Sequence, residues 1–458
     1  MLRPSAALAS LAALLSFAPA ADAATTTFEN SRAGAALLAI TAKAPGTDWG
    51  RAGAESAVLE LKLDGRYNQD VVLFAGATPF TYHVALGRLA PGRHTVSARF
   101  DPDKSPDDAR TAVVQNLAPR LATSAEALAA RYSPIVFGRD LPQITGRYEN
   151  NHTDVPLTMY HTSSTDEAGL TTLEYTVIWS NEDGGTNTPA LMARWGRTTD
   201  IEWIYRVTID GQGRRLSEYY QAANHATLPF TGARDGDHPM LETATANNNM
   251  AQVDDPDRST GYRFWMDGLQ TLPDRRAREA VMDANPWTYA ITATEMVRED
   301  QVEDPADPTT AQMSDERNYL FAEIDKDTSY ATPPVSGTWV GTALEVKLAG
   351  DPTWYASHHQ VPDWSIQRDA PAATTVELPP GTTPGDVEAI RAVAVPVGRG
   401  GATPAPPPAD WRIDLTDLNR AFFLGAGYLP QPSFVTWHGD EVLTPQRPAA
   451  VLWSAPGS

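Results

Sequence analysis

The sequence predicts a mainly β protein, two β-sandwich domains with a few short helices. Three observations predict it. Short runs alternate apolar with polar side chains, the period-two pattern of a half-buried strand. Gly, Pro, Asp and Asn break these runs at intervals of about 8–12 residues, where turns are needed. Helix signals gather around 123–131 and 273–283 and are weak elsewhere.

Residues 1–23 read as a secretory leader. Arg3 supplies the basic start, 6–20 is mostly apolar, and Ala21-Asp22-Ala23 is a small-residue cleavage pattern. That apolar core is too short to cross a bilayer, and no later segment supplies the about 20 apolar residues a span requires. The mature chain is therefore expected to be secreted or periplasmic, with no transmembrane segment.

The first domain is placed at 24–120. Its strands are Ala57-Val58-Leu59-Glu60-Leu61-Lys62-Leu63, then Asp70-Val71-Val72-Leu73-Phe74, then 80–86, and after a Pro91-Gly92 turn, 94–100. The phrase Leu89-Ala90-Pro91-Gly92-Arg93-His94-Thr95-Val96 resembles the late hairpin of immunoglobulin-like accessory domains in exported bacterial proteins. That resemblance implies an immunoglobulin-like sandwich serving as spacer or support.

The second domain is placed at 121–458 as a larger β-sandwich or jelly-roll-like unit. Thr123-Ser124-Ala125-Glu126 is a capping-box pattern that opens a short helix. A second helix is expected over 273–283, with Pro286 just beyond its end. Residues 301–316 are acidic and Pro-rich and read as a loop, as does the Pro cluster of 398–408. The segments 434–437 and 451–453 read as closing strands.

Composition narrows the function. At 458 residues there is chain for two or three cores, and with no cysteine there is no disulfide, thiolate or cysteine-borne lipid anchor. A net charge of −21 argues against nucleic acid and anionic membranes, both of which demand a basic footprint. It fits neutral ligands, cations, or solubility alone. The Arg- and Ala-rich composition points to a high-GC bacterium.

Chemistry concentrates in 196–250. Gly196-Arg197-Thr198-Thr199-Asp200-Ile201-Glu202-Trp203 runs into an alternating strand, followed by Tyr219-Tyr220-Gln221, His225, His238-Pro239 and Asn247-Asn248-Asn249. Residues two apart on a strand share a face, so Asp200 and Glu202 stand side by side. Oxygen-rich surroundings suit calcium or magnesium rather than zinc. Two readings of the pair remain open. In one it binds a cation or a sugar hydroxyl cluster; in the other Asp200 caps a turn and Glu202 pairs with Arg194 or Arg206.

The order of these pieces resembles necrosis-and-ethylene-inducing-like proteins, which carry a G-H-R-H-D-W-E heptapeptide. It is also similar to a vacuolar-protein-sorting-related family with a shorter G-D-W-E form and a later His-Pro-apolar run. Gly196, Asp200 and Glu202 match the heptapeptide, Tyr220-Gln221 and His225 match the following turn, and Asn248 falls at the last histidine. Arg197 and Thr199 replace the heptapeptide histidines and Ile201 its tryptophan. The resemblance covers about the central third of the chain. It implies a β-sandwich whose acidic pair holds a divalent cation, calcium or magnesium, at an edge that binds glycolipids or surfaces.

The expected ligand is a carbohydrate or glycolipid, with Asp200 and Glu202 toward metal and Tyr220, Asn248 and Trp203 toward ligand. A competing reading is a polysaccharide-degrading enzyme, a glycoside hydrolase or lyase, with Glu202, His225 and His238 as catalytic candidates. Its second carboxylate would come from Glu174, Glu182, Asp183, Asp237 or Glu242, since carboxyls on one strand sit poorly for the about 5–10 Å that glycosidases use. A structural envelope protein is a third reading. Trp179, Trp195, Trp265 and Trp287 suit sugar stacking or a core. The loop 181–187, His358-His359 with Asp363, and His152 and His161 with Asp154 and Tyr160 are further polar groups that fit ordinary structural roles. No G-x-S-x-G elbow, H-E-x-x-H helix, Walker loop or dinucleotide fingerprint is present.

Overall fold

The computed structural model describes residues 24–139, 151, 154–182, 187–257, 261–332, 338–398 and 409–456. The expected leader, His152, Asp183 and 399–408 lie outside the described residues. The protein is mainly β, with several sheets packed as sandwiches and a few short helices.

The N-terminal strands are β1 (Ala24–Asn30), β2 (Gly34–Lys43), β3 (Val58–Leu63), β4 (Arg66–Val72), β5 (Phe80–Leu89), β6 (Gly92–Phe100) and β7 (Val113–Leu121). They form one sheet in the order β1-β6-β3-β4 and another in the order β5-β2-β7. Leu38 and Ile40 of β2 and Leu59 and Leu61 of β3 are buried in one cluster, so alternation has aimed both sheets at a shared core. The β2–β5 and β3–β6 pairings are the central pairs of an immunoglobulin-like sandwich. The edges are exchanged: the first strand lies beside β6 and the last beside β2.

The capping box forms as the sequence predicts. The Thr123 N–H donates to Glu126 Oε2 at 2.8 Å and the Glu126 N–H to Thr123 Oγ1 at 3.3 Å, ahead of α1 (Ala127–Tyr132). Two sheets follow. β9 (Pro156–Thr165), β10 (Thr171–Trp179), β11 (Ile201–Ile209), β12 (Arg215–Ala222) and β13 (Ala226–Pro229) form an antiparallel meander, with β18 (Gln270–Thr271) parallel to β9. Aspartates build its turns: Asp166 Oδ1 accepts from the backbone of Ala168 and Leu170, and Asp210 Oδ1 from Gln212 and Arg214. The smaller sheet joins β14 (Arg234–Asp235), β15 (His238–Thr243), β8 (Ile135–Phe137) and β17 (Arg263–Phe264), with β16 (Met250–Gln252) on β15.

Between β10 and β11 lies α2 (Thr188–Trp195). It is capped by Asn187, whose side chain accepts from the Ala190 N–H, and ends at Gly196 in the left-handed region, φ +67°. The expected helix over 273–283 is displaced. α3 spans only Ala280–Ala284, Arg275 has φ +53°, and α4 (Trp287–Arg298) begins after Pro286. Proline is preorganised for a helix start, so Pro286 opens a helix here instead of stopping one.

The remaining strands are β19 (Tyr319–Tyr330), β20 (Thr338–Leu348), β21 (Trp354–Ala356), β22 (Ala372–Glu377), β23 (Val387–Gly398), β24 (Trp411–Phe423), β25 (Trp437–Leu443) and β26 (Ala449–Ser454). They pair as β22-β19-β24-β25 and β21-β20-β23-β26 around a core of their own, including Ile324, Leu344, Ile390 and Ile413. The stretch 121–458 thus holds two distinct sheet pairs. α2 ties them together: its Ala193 and Met192 carbonyls accept from the Thr374 and Thr375 hydroxyls at 2.5 and 2.8 Å. No described helix is long and apolar enough to cross a membrane.

Candidate functional site

The entry to β11 is pinned by three consecutive buried side chains. Arg197 donates to the Thr199 carbonyl at 2.8 Å and pairs with Glu279. Thr198 donates to Glu316 at 2.7 Å, and Thr199 to the Trp179 carbonyl. Arg197 and Thr199, where the resembling families carry histidines, are therefore engaged in holding the loop that delivers Asp200.

Asp200 is 1% exposed, and its Oδ2 accepts from Asn248 Nδ2 at 3.2 Å. Asn248 also accepts from Arg139 Nη2 at 2.6 Å, and Arg139 pairs with Asp154 at 2.5 Å. A buried chain of Asp154, Arg139, Asn248 and Asp200 results. Burial holds the Asp200 carboxyl well above the usual carboxylate range, and the negative charges of Glu202 and Glu182 add to the effect.

Glu202 is more open. Its carboxylate lies 3.7 Å from His225 Nδ1. His225 sits in the β12–β13 turn, where it and Asn224 both take φ +58°. The Gln221 amide contacts its Nδ1 at 2.8 Å and the Asn247 amide its Nε2 at 3.4 Å. Both contacts are amide nitrogens, and a neutral imidazole accepts at only one of its nitrogens, so it can accept from one of the two amides. The Oε1 of Gln221 is buried without a hydrogen-bond partner among the described residues.

The structure brings together Asp200, Glu202, His225 and Asn248, and leaves three other sequence candidates out of the cluster. Trp203 is 9% exposed beneath the Arg206 guanidinium, 4.6 Å from its ring centre. Tyr220 points into the core, edge-on to Phe230 at 6.4 Å, because neighbours on a strand face opposite ways. His238 is 3% exposed, with Nδ1 2.9 Å from the Ser133 carbonyl and its ring edge-on to Trp265. Burial pushes the His238 imidazole down in pKa, the mark of a neutral structural histidine.

Other candidates are engaged elsewhere. Arg206 pairs with Glu174, so it is not the partner of Glu202. Asp237 is shared by Arg131 and Arg215. Glu182 is half-buried near Asp200, and Glu242 is half-buried on β15. Trp179 and Trp265 are core residues, and Trp195 lies under Arg368 at 4.0 Å. His161 contacts the Gly268 carbonyl at 2.8 Å, and His359 lies 3.6 Å from Glu377.

No protein-family model and no curated protein matches the chain. A solved structure of the tandem family 51 carbohydrate-binding modules of a family 98 glycoside hydrolase from Streptococcus pneumoniae is similar over 86% of this chain and 80% of that one. Identity is 10% and the TM-score 0.16, a likeness that carries no argument about what this chain does.

The divalent cation implied by the heptapeptide resemblance can be tested on the donors. Calcium takes six to eight oxygens and magnesium six. Among the described residues no three His, Asp or Glu side chains converge as ligands of one ion. Asp200 is bonded to Asn248, Asn248 Oδ1 is taken by Arg139, and Glu202 faces a histidine. These donors do not fit a calcium or magnesium cage.

Sequence reasoning passed over Gln221, Asn247 and Arg139 as site residues. Gln221 and Asn247 each adjoin a residue that was chosen, and alternation alone does not say which neighbour faces the site. Arg139 comes from another part of the chain, and nothing near it signals its role.

Proposed function

We propose that the protein binds a neutral carbohydrate or glycolipid, without a cation, at the edge formed by Glu202, His225, Gln221 and Asn247. The observation that supports this is the meeting of an anionic acceptor, an imidazole and two carboxamides where β11 begins and the β12–β13 turn closes. Such a set offers acceptors and donors together, which is what vicinal hydroxyls need. The net charge of −21 favours a neutral ligand over an anionic one. Export past the inner membrane, expected from the leader, would put such a ligand within reach.

Retention on a panel of immobilised glycans and glycolipids tests the reading. Glu202→Gln and Gln221→Ala should each weaken retention about tenfold or more, the worth of a hydrogen bond to a charged or buried partner. Retention untouched by either substitution would overturn it. One observation favours a second reading, a glycoside hydrolase or lyase: burial holds the Asp200 carboxyl well above the usual carboxylate range, as a general acid needs. Product release from a polysaccharide panel, lost in Asp200→Asn and Glu202→Gln, would select the enzyme.

A further inference from the structure

A cavity of about 570 Å³ opens between the N-terminal sandwich and the central sheets, within the size range of small-molecule sites. β4 and β5 line it from one domain; β9, the 264–270 segment and the start of α4 line it from the other. None of its lining residues belongs to the Glu202 cluster.

Its aromatic wall is continuous. Trp287 stacks on Phe74 at 5.3 Å with 13° between the rings, and Phe80 meets Trp287 edge-on at 5.0 Å. Phe80 and Trp287 are only half-buried, so ring surface remains for a ligand. The polar lining is planar and interlinked. Asn285 Nδ2 donates to Gln270 Oε1 at 2.5 Å, and Gln270 Nε2 donates to Thr158 Oγ1 at 2.7 Å. Asp267 takes the Leu269 N–H on one oxygen at 3.1 Å, and its other oxygen has no partner among the described residues.

The lining selects among ligand classes. The amides pair with their neighbours, but a wholly apolar ligand would cover the Asp267 carboxyl without pairing it, and a buried polar group left unsatisfied is costly. Arg120 is held by Glu126 and Asp70 by Lys104, so Asp267 is the lining acid outside those pairs, and it disfavours an anion. A neutral molecule with one apolar face and a polar edge matches both walls.

We propose that this cavity is a second ligand site, for a neutral mono- or disaccharide whose ring face lies on Phe80 and Trp287 and whose hydroxyls bond Asp267, Gln270 and Asn285. The site stands apart from the Glu202 edge and does not rest on it. Burial raises the proton affinity of Asp267, and its carboxyl accepts from ligand hydroxyls.

The test is saturation-transfer NMR on the full mature chain with glucose, galactose, N-acetylglucosamine, maltose and cellobiose, each at up to about 20 mM. At least one sugar should bind with a dissociation constant in the millimolar range or tighter. Trp287→Leu, which keeps apolar bulk but removes the ring, and Asn285→Ala, which removes the amide, should each weaken it about tenfold. Should Trp287→Leu fail to fold, Asn285→Ala carries the test. A signal that survives these variants overturns the proposal, and its loss in Glu202→Gln would assign the sugar to the other edge. If none of the five sugars binds the unmodified chain, or if only an apolar dye does, the proposal falls. The Glu202 edge would then still be judged on its polysaccharide and glycolipid panel.

Discussion

Asp200 is a carboxyl shut away from water, hydrogen-bonded on its side chain by the amide of Asn248 and set beside Glu202. Its proton affinity is raised in the folded state, so the stability it contributes is fully present below its unfolded value near 3.8. That contribution is lost as pH rises through the folded value. Asparagine copies the protonated acid and can still accept from Asn248. Asp200→Asn should therefore melt at or above the unmodified chain, with the gap widening as pH rises above the unfolded value near 3.8. A variant that melts lower at the alkaline end would show that the carboxylate itself holds the fold. The same melts check the cation. Calcium or magnesium should leave the midpoint in place, whereas ions at 100 times their dissociation constant would add about 2.7 kcal/mol if a site existed. A midpoint raised by either ion and restored by Asp200→Asn would return the cation to the site.

At the scale of an element, Gly196 is where motif and architecture overlap. It caps α2 at φ +67°, and a Cβ there would lie 2.8 Å from the Thr374 nitrogen of β22. Gly196→Ala combines left-handed strain of about 1–2 kcal/mol with a clash against backbone, which cannot swing aside. The substitution should cost about 2 kcal/mol or more in a denaturant titration. Restored stability on pairing it with Thr374→Gly, which leaves that backbone nitrogen in place, would argue against the backbone clash. This glycine would therefore be required with or without a ligand. The displaced helix teaches a related point. The run 275–282 contains good helix formers, yet Arg275 and Arg276 reach Asp325 and Glu323 on β19, and the helix starts only at Ala280. Tertiary context has overridden local preference.

Across the molecule, two buried carboxyls make stability depend on pH. Glu316 accepts from Thr198 at the join between the central sheets and the C-terminal sandwich, and Glu377 accepts from Tyr319 within that sandwich. Burial is the main cause that pushes each up to about 8. A carboxyl raised in the folded state stabilises fully below its unfolded value near 4.5 and stops doing so as pH rises through about 8. The melting midpoint should fall over that window, and Glu316→Gln or Glu377→Gln should flatten the fall. A midpoint that stays level between about pH 5 and pH 9 in the unmodified chain would contradict the assignment.

The sequence by itself determined the mainly β class, the early strands, the capping box before α1 and the adjacency of Asp200 and Glu202. All of these are local. Period-two burial, turn chemistry and an i, i+2 relation act within a few residues, so they can be read along the chain. Only the tertiary structure decided that Arg139 reaches Asn248 from 109 positions away, that Gln221 rather than Tyr220 meets His225, and that His238 is buried against Trp265. It also decided that Phe74 and Phe80 of the N-terminal strands and Trp287 of α4 share one cavity wall. Such contacts depend on which sheet faces which and on where the register shifts, as it does between Tyr175 and Thr176 opposite β11. A bulge of that kind re-aims every side chain beyond it, and the pattern of polar and apolar residues does not announce it.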